Sequence, residues 1–209
     1  MKFKLLFSYR FLLFILSVLG VYLQLTKHGG FGMMLYYTIL SNMLVMFFMG
    51  DMVWRMVRGR STQTQDYLRM KGAVTMAIMI TFVIYHFMLA PLATPEKFYR
   101  LENFLCHYIV PLMFFFDTLV IDKAKQYRKL DPFLWTLIPL AYMLFALLNG
   151  LVLKWPIPGA KDSPFAYFFI NVNKYGWAFV GKWVVIIFIA YLLAGYVLYG
   201  IKNIKRKLA

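Results

Sequence analysis

The sequence predicts an all-α membrane protein, a polytopic transmembrane helical bundle of six spans that occupies residues 1–209 as a single domain. Hydrophobic residues make up 62% of the chain and charged residues 15%, whereas charged residues make up about 25% of an ordinary soluble domain. The apolar residues also fall in blocks long enough to cross a bilayer, which takes about 20 residues of helix. The predicted spans are residues 5–25, 31–53, 73–92, 103–121, 132–153 and 176–200.

The distribution of Lys and Arg predicts the orientation of these spans. The net charge is +15, and sixteen of the 23 Lys and Arg residues fall in the N-terminal segment, the second and fourth loops and the C-terminal tail. Because loops rich in Lys and Arg stay on the cytoplasmic side, we expect a multi-pass protein of the plasma or inner membrane with both termini in the cytoplasm. The charge therefore reflects topology, and no groove of aromatic and basic residues indicates a nucleic-acid partner.

The connections between the spans are short, with one exception. The first predicted span follows Lys2 and Lys4, as in a signal peptide, but no small-x-small cleavage site ends it, so we expect a retained helix. Gly29 and Gly30 separate it from the second span. The long connection, residues 154–175, is rich in Pro, aromatic residues and Asn and is too interrupted to cross the membrane. We expect it to cover the outer mouth of the bundle.

Thr38, Ser41 and Asn42 place three hydrogen-bonding side chains inside the second predicted span. Their spacing of i, i+3 and i+4 puts them on one stripe of a helix. Polar groups in hydrocarbon are costly unless they face a partner or a cavity. The stripe is therefore a candidate site, although Thr and Ser in a span also commonly bond to carbonyls of their own helix.

Polar side chains from other spans fall at the same depth. In the predicted orientation Thr38, His86 and His107 each lie about 8–9 Å below the outer boundary, at ~1.5 Å per helical residue. Asn149 lies near the outer end of the fifth span. A lone His in a span is often a hydrogen-bond donor between helices. That interpretation explains each residue separately but not why four spans bring polar groups to one level.

His107 is the candidate general base. Pro111 has no N–H to donate to the carbonyl of His107, so a kink is expected there. Asn103 lies on the same face at i−4 and is expected to hold the imidazole in one tautomer. A neutral imidazole beside the hydroxyl of Thr38 is a nucleophile–base pair. Glu102, at the rim, is the only carboxylate near this level, so the sequence favours a Thr–His dyad over a triad with a carboxylate.

No metal or cofactor site is predicted. Two histidines, His86 and His107, are too few ligands for a metal ion without further carboxylates at their level. Cys106 is the only cysteine of the chain, so no intrachain disulfide and no cysteine-based zinc site is expected.

The inner half of the predicted bundle carries few polar residues. Asp51 and Asp117 lie there, near Arg55 and Lys123, and we interpret both carboxylates as structural charges that are ion-paired or snorkel to the membrane surface. No charged pathway is expected to continue through the inner half, and the chain has no internal repeat. Both observations argue against a small transporter.

Three segments carry a resemblance to a known family. LYYTILSNMLV (residues 35–45), LCHYIVPLMFFFD (105–117) and SPFAYFFINVNKYG (163–176) resemble blocks of the androgen-induced-gene/ADTRP-like integral membrane proteins, whose bacterial six-span members are the most similar. The resemblance covers essentially all six spans. The mammalian members are threonine hydrolases that cleave fatty acid esters of hydroxy fatty acids. The resemblance therefore implies that Thr38 is the nucleophile and His107 the base.

The residue pattern and the resemblance together predict an intramembrane lipid-ester hydrolase. It would act on membrane lipids or fatty acid esters and would require no cofactor. Asn42 or Asn149 is expected to supply an oxyanion donor, and Ser41, His86 and Asn103 are expected to support the site. The alternative is a non-catalytic integral membrane protein that binds lipid or a protein partner.

Overall fold

The computed structural model of the chain describes residues 3–160 and 163–204, and the regular structure in these ranges is entirely helical. Six helices there are long and apolar enough to cross a membrane, so the predicted fold class is confirmed. They are α1 (Phe3–His28), α2 (Tyr37–Val57), α3 (Gln65–Leu92), α4 (Leu101–Ile121), α5 (Asp131–Leu153) and α6 (Val172–Asn203). With an even number of spans, the first and last described residues share one end of the bundle, called here the terminal end. The other end is called the opposite end.

The second span begins later than the sequence predicts, at Tyr37 rather than at residue 31. The preceding residues, Gly30–Leu35, form a 3-10 helix, and Gly29 and Gly30 adopt positive φ angles of 134° and 59°. Glycine adopts such angles without the clash that a side chain would cause, so the chain turns here before α2 begins. Thr38 is therefore the second residue of α2 and lies in its first turn.

The third span begins earlier than predicted, at Gln65 rather than at residue 73. Asp66, Arg69 and Lys71 interrupt the apolar block of the sequence, but these residues have helical conformations all the same. Hydropathy therefore underestimates the length of α3. The extra turns carry Lys71 into the interior of the bundle, where its side chain is completely buried.

α4 contains a π-helical turn at Leu105–Ile109, directly before Pro111. Proline cannot donate a hydrogen bond to the carbonyl of His107 four residues earlier. The irregularity that the sequence predicts at this point is thus present as a wider helical turn. Such π-helical turns recur at functional sites because they redirect side chains out of the regular helical positions.

An apolar layer fills the middle of the bundle between α1, α2, α3 and α4. Along α4 it includes Val110 and Phe114, which lie between His107 and Asp117. The layer consists of Leu13, Val45, Phe48, Met49, Met52, Tyr67, Val74, Ile78, Val110 and Phe114. It separates the polar side chains near the opposite end from the charged side chains near the terminal end.

The charged side chains near the terminal end form a buried ionic cluster of Arg10, Lys71, Asp117 and Asp122. The guanidinium of Arg10 donates two hydrogen bonds of 3.0 Å to the carboxylate of Asp117 and one of 3.3 Å to Asp122. Lys71 pairs with both carboxylates, at 2.6 Å in the case of Asp122. Because charges this deep are tolerated only when paired, the cluster joins α1, α3 and α4 firmly at this end.

The ionic cluster corrects one sequence prediction and extends another. Asp117 was expected near Lys123, but its partners are Arg10 and Lys71, whose positions on the inner faces of α1 and α3 hydropathy does not reveal. Asp51 pairs with Arg55 at 2.6 Å, as predicted. The half of the bundle at the terminal end thus holds more charge than the sequence indicates.

Candidate active site

The structure brings Thr38 and His107 together. Thr38 lies in the first turn of α2 and His107 in the π-helical turn of α4, and their Oγ1 and Nε2 atoms are 3.3 Å apart. The imidazole is buried, with 7% of its residue surface exposed. This distance is within the reach of a hydrogen bond, so the hydroxyl is positioned to donate its proton to the imidazole.

The tautomer of His107 follows from its second hydrogen bond. Its Nδ1 atom lies 3.0 Å from the backbone carbonyl of Asn103. A carbonyl oxygen only accepts hydrogen bonds, so Nδ1 carries the proton and Nε2 presents its lone pair to Thr38. The neutral imidazole is therefore in the tautomer that a general base requires.

Asn103 orients the imidazole differently from the way the sequence predicts. Its side-chain amide does not bond to the ring; it donates to the hydroxyl of Tyr85 at 2.6 Å and to the carbonyl of Phe98 at 2.8 Å. The ring of Tyr85 stacks on the imidazole of His107, with centroids 3.7 Å apart. Asn103 therefore acts on His107 directly through its backbone carbonyl and indirectly through Tyr85.

Tyr167 is a site residue that the sequence analysis missed. It belongs to the long connection, and its hydroxyl lies 3.4 Å from the backbone N of Thr38 and 3.5 Å from its Oγ1. Its ring packs on Tyr36 and Phe169, and burial raises the pKa of its phenol. The hydroxyl therefore stays protonated and remains a donor. The only feature of the sequence that could have indicated Tyr167 is its hydroxyl, which stands among the aromatic residues of the long connection.

Ser41 and Asn42 support Thr38 from one helical turn further along α2. The amide of Asn42 donates to the carbonyl of Thr38 at 2.8 Å and to the carbonyl of Cys106 at 3.0 Å. The hydroxyl of Ser41 donates to the same Thr38 carbonyl at 3.1 Å and lies 2.7 Å from the hydroxyl of Thr81. Asn42 thus uses one donor within α2 and the other to join α2 to α4, so this residue has none left for an oxyanion.

His86 and Asn149, both expected near the level of Thr38, make their hydrogen bonds to other residues. His86 is exposed on the outside of the bundle, where its Nδ1 lies 3.3 Å from the hydroxyl of Tyr108. The amide of Asn149 donates to the carbonyls of Trp155 and Pro164, and its oxygen accepts from the N–H of Trp155. Asn149 therefore holds the long connection in place. Matching depth does not fix the direction in which a helical side chain points, and this explains both differences.

The carboxylate of Glu102 is buried at the start of α4 but is directed away from His107. It lies 2.9 Å from Nε2 of His28 and 3.4 Å from Nζ of Lys27, both at the end of α1. Its role is to join α1 to α4 at the opposite end. The described contacts of His107 are consistent with a dyad in which a backbone carbonyl orients the imidazole.

A cavity of about 110 Å³ lies beside Thr38, lined by residues of α2, α3, α5, α6 and the long connection. Its wall is almost wholly apolar and extends from Thr38 and Tyr85 towards Thr136 and Tyr191, nearer the terminal end. A cavity that holds one water needs only about 10–15 Å³, so this one has room for a chain of several methylene groups. The Thr38 hydroxyl is thus within reach of an apolar ligand.

The chain was compared with protein-family models, curated protein sequences and solved structures, and none of them matches it. The family resemblance of the three segments therefore remains a prediction. Any function has to be argued from the geometry around Thr38, His107 and the adjoining apolar cavity.

Proposed function

We propose that this protein is an intramembrane lipid-ester hydrolase, a threonine hydrolase of the kind that the family resemblance implies. The observation that carries the proposal is the 3.3 Å contact between Oγ1 of Thr38 and Nε2 of His107, with Thr38 lining an apolar cavity. An ester of a fatty acid has a polar carbonyl attached to an apolar chain. The arrangement suits such a substrate, because it offers a nucleophile and an apolar wall side by side.

The reaction follows the usual acyl-transfer sequence. Oγ1 of Thr38 attacks the ester carbonyl while Nε2 of His107 takes the hydroxyl proton, and the imidazolium is stabilised by the carbonyl of Asn103. Collapse of the tetrahedral intermediate breaks the bond to the alcohol, which takes the proton from His107. Water then attacks the acyl-threonine, His107 takes the water's proton and returns it to Thr38, and the fatty acid leaves.

Two donors are available for the oxyanion. Thr38 is the second residue of α2, so its backbone N–H has no partner within the helix. It donates to the hydroxyl of Tyr167 at 3.4 Å, so an oxyanion would replace the Tyr167 oxygen as its acceptor, and the positive end of the α2 dipole points to the same place. The Thr38 N–H and the Tyr167 O–H are therefore our candidates for the oxyanion hole, in place of Asn42 and Asn149.

Replacing Tyr167 with phenylalanine tests this assignment. We expect Tyr167→Phe to lower kcat by about 10²–10³-fold, since one oxyanion donor is lost while the aromatic ring remains. The measurement is the steady-state rate of ester hydrolysis by purified protein. Tyr36→Phe is the matched control, because the hydroxyl of Tyr36 donates to the carbonyl of Pro158 rather than to Thr38. Equal rates in Tyr167→Phe and the wild type would remove Tyr167 from the mechanism.

The orientation of the bundle forms part of the proposal. We assign the terminal end to the cytoplasm, on the distribution of Lys and Arg, which puts Thr38 within the outer half of a plasma or inner membrane. Reporter fusions at Lys27 and Ala160 are expected to give an external signal and a fusion at Gln63 an internal one. An external signal at Gln63 contradicts the assignment and would move the site to the inner half.

Hydrolysis itself is tested with purified protein in lipid nanodiscs. We expect release of fatty acid from esters of hydroxy fatty acids or from simple fatty acid esters, measured by mass spectrometry of the products. A monodisperse protein that binds these esters but hydrolyses none of them supports the alternative, a lipid-binding protein without catalysis. Transport is not favoured, because the apolar layer separates the site from the ionic cluster.

A further inference from the structure

We infer that the apolar cavity beside Thr38 is an acyl-chain site closed by Tyr191, and that it selects esters whose acyl chain is of medium length. The inference deepens the proposed function and rests on it for the site of cleavage. Binding of the acyl chain is a property separate from cleavage of the ester, and it has its own test.

The positions of the polar groups in the cavity wall indicate the direction in which an acyl chain would lie. The hydroxyls of Thr38 and Tyr167 lie at one end, close to each other. Other tyrosines of the wall have hydroxyls that are already bonded to backbone carbonyls, Tyr37 to Ala77 and Tyr142 to Leu35. An ester carbonyl therefore finds reactive partners only at the Thr38 end, and the hydrocarbon chain extends from there towards the terminal end.

The length of the cavity limits the length of the chain. Its wall extends along α3 from Leu89 to Ile80 and along α6 from Val184 to Tyr191. These segments correspond to roughly 10–14 Å at 1.5 Å per helical residue. Half of a bilayer core is about 15 Å thick. The cavity is therefore too short for the extended chain of a typical membrane lipid, and it suits acyl chains of about 8–12 carbons.

The floor of the cavity is rigid. The hydroxyl of Tyr191 donates to the carbonyl of Trp135 at 3.1 Å, and the hydroxyl of Thr136 donates to the carbonyl of Phe133 at 2.6 Å. Tyr191 and Thr136 are 5% and 1% exposed, so both residues are buried within the protein. Both hydroxyls are satisfied within the protein, and the floor presents carbon atoms to the ligand.

The packing beneath the floor prevents the chain from passing further. Tyr191 and Trp135 belong to a buried cluster with Met76, Tyr127 and Leu198. Below it, Gly195 lets α6 approach α5 closely at Pro132. A longer acyl chain that continued past Tyr191 would have to displace this packing.

Replacing Leu140 in the cavity wall with tryptophan is the first test of the acyl-chain site. Leu140 lines the cavity on α5, whereas Leu144, one turn further along the same helix, is 70% exposed on the outer surface. We expect Leu140→Trp to reduce hydrolysis of esters with acyl chains of about 8–12 carbons at least tenfold and to leave esters of about 4 carbons unaffected. Leu144→Trp is the matched control and should keep the wild-type chain-length profile. Equal profiles for the two variants overturn the inference.

Opening the floor is the complementary test. We expect Tyr191→Ala to raise the rate with acyl chains of about 16 carbons relative to about 10 carbons, because the chain gains space beyond the floor. Tyr191→Phe retains the ring and loses only the hydrogen bond, so it should retain the wild-type preference. A wild-type profile that is flat across chain lengths, or a Tyr191→Ala profile equal to it, overturns the inference.

Cross-linking distinguishes failure of the inference from failure of the proposed function. The Thr38→Ala variant is irradiated with a fatty acid of about 10 carbons that carries a diazirine at its terminal carbon, and the labelled peptides are identified by mass spectrometry. We expect label on α5 and α6 near Tyr191. Such labelling without any hydrolysis by the wild type supports the chain site and refutes the hydrolase, whereas hydrolysis with label only on outward-facing residues refutes the chain site alone.

Discussion

Thr38→Ala is expected to reduce ester hydrolysis by about 10³-fold or more, because the variant has no oxygen to form the acyl-enzyme. His107→Ala should cause a similar loss, since the hydroxyl of Thr38 then has no base 3.3 Å away to accept its proton. The double variant should be little worse than either single one, because the two residues act as a unit. Thr38→Ser should retain part of the rate, since it preserves the hydroxyl and loses only the methyl group that restricts its rotamer.

The chain offers matched controls for both substitutions. Thr26→Ala removes a hydroxyl that bonds only to carbonyls of its own helix, and His86→Ala removes an imidazole on the outside of the bundle. Both variants should hydrolyse esters at the wild-type rate, measured on monodisperse protein under identical conditions. Full activity in Thr38→Ala, or loss of activity in His86→Ala, would show that the dyad has been assigned wrongly.

Asp117→Ala is expected to destabilise the protein by about 3–5 kcal/mol, because it leaves buried positive charges without their partner. Asp117 is completely buried and pairs with both Arg10 and Lys71. The remaining carboxylate of the ionic cluster, that of Asp122, then faces both cations alone. Partial rescue is expected in Asp117→Asn, because the amide oxygen still accepts one hydrogen bond.

The measurement is the unfolding transition of purified protein in detergent. The control is Asp51→Ala, since Asp51 pairs with Arg55 but is 46% exposed in its side chain. Exposed ion pairs contribute about 0–1 kcal/mol, so this variant should unfold almost like the wild type. An Asp117→Ala variant as stable as Asp51→Ala would mean that the ionic cluster does not hold the terminal end together.

The sequence predicts the six spans well because a bilayer imposes one simple requirement, a helix of apolar residues long enough to cross it. It predicts the ends of the helices less well. α2 begins at Tyr37 because Gly29 and Gly30 turn the chain first, and α3 begins at Gln65 although charged residues follow. The first residues of α2 and α3 therefore depend on the backbone conformation of the neighbouring residues and cannot be read from hydropathy alone.

Depth predicted the pairing of Thr38 and His107 but could not assign every polar residue at that level. His86 was expected at the same depth but is exposed, because its side chain points in a different direction from that of its buried neighbour Tyr85. Tyr167 was not predicted, since the long connection has no period from which the position of a side chain follows. The partners of Asp117 could not be predicted from the sequence either, because the burial of Arg10 and Lys71 depends on how α1 and α3 pack.

The most direct test of the proposed dyad is to locate the adduct of a long-chain fluorophosphonate. The probe forms a covalent bond between its phosphorus and an activated oxygen nucleophile as fluoride leaves. After reaction of the wild-type protein and digestion, mass spectrometry should find the added mass on the peptide that contains Thr38, and labelling should disappear in His107→Ala but persist in His86→Ala. An adduct on any other residue, or labelling that is undiminished in Thr38→Ala, contradicts the proposal that Thr38 is the nucleophile.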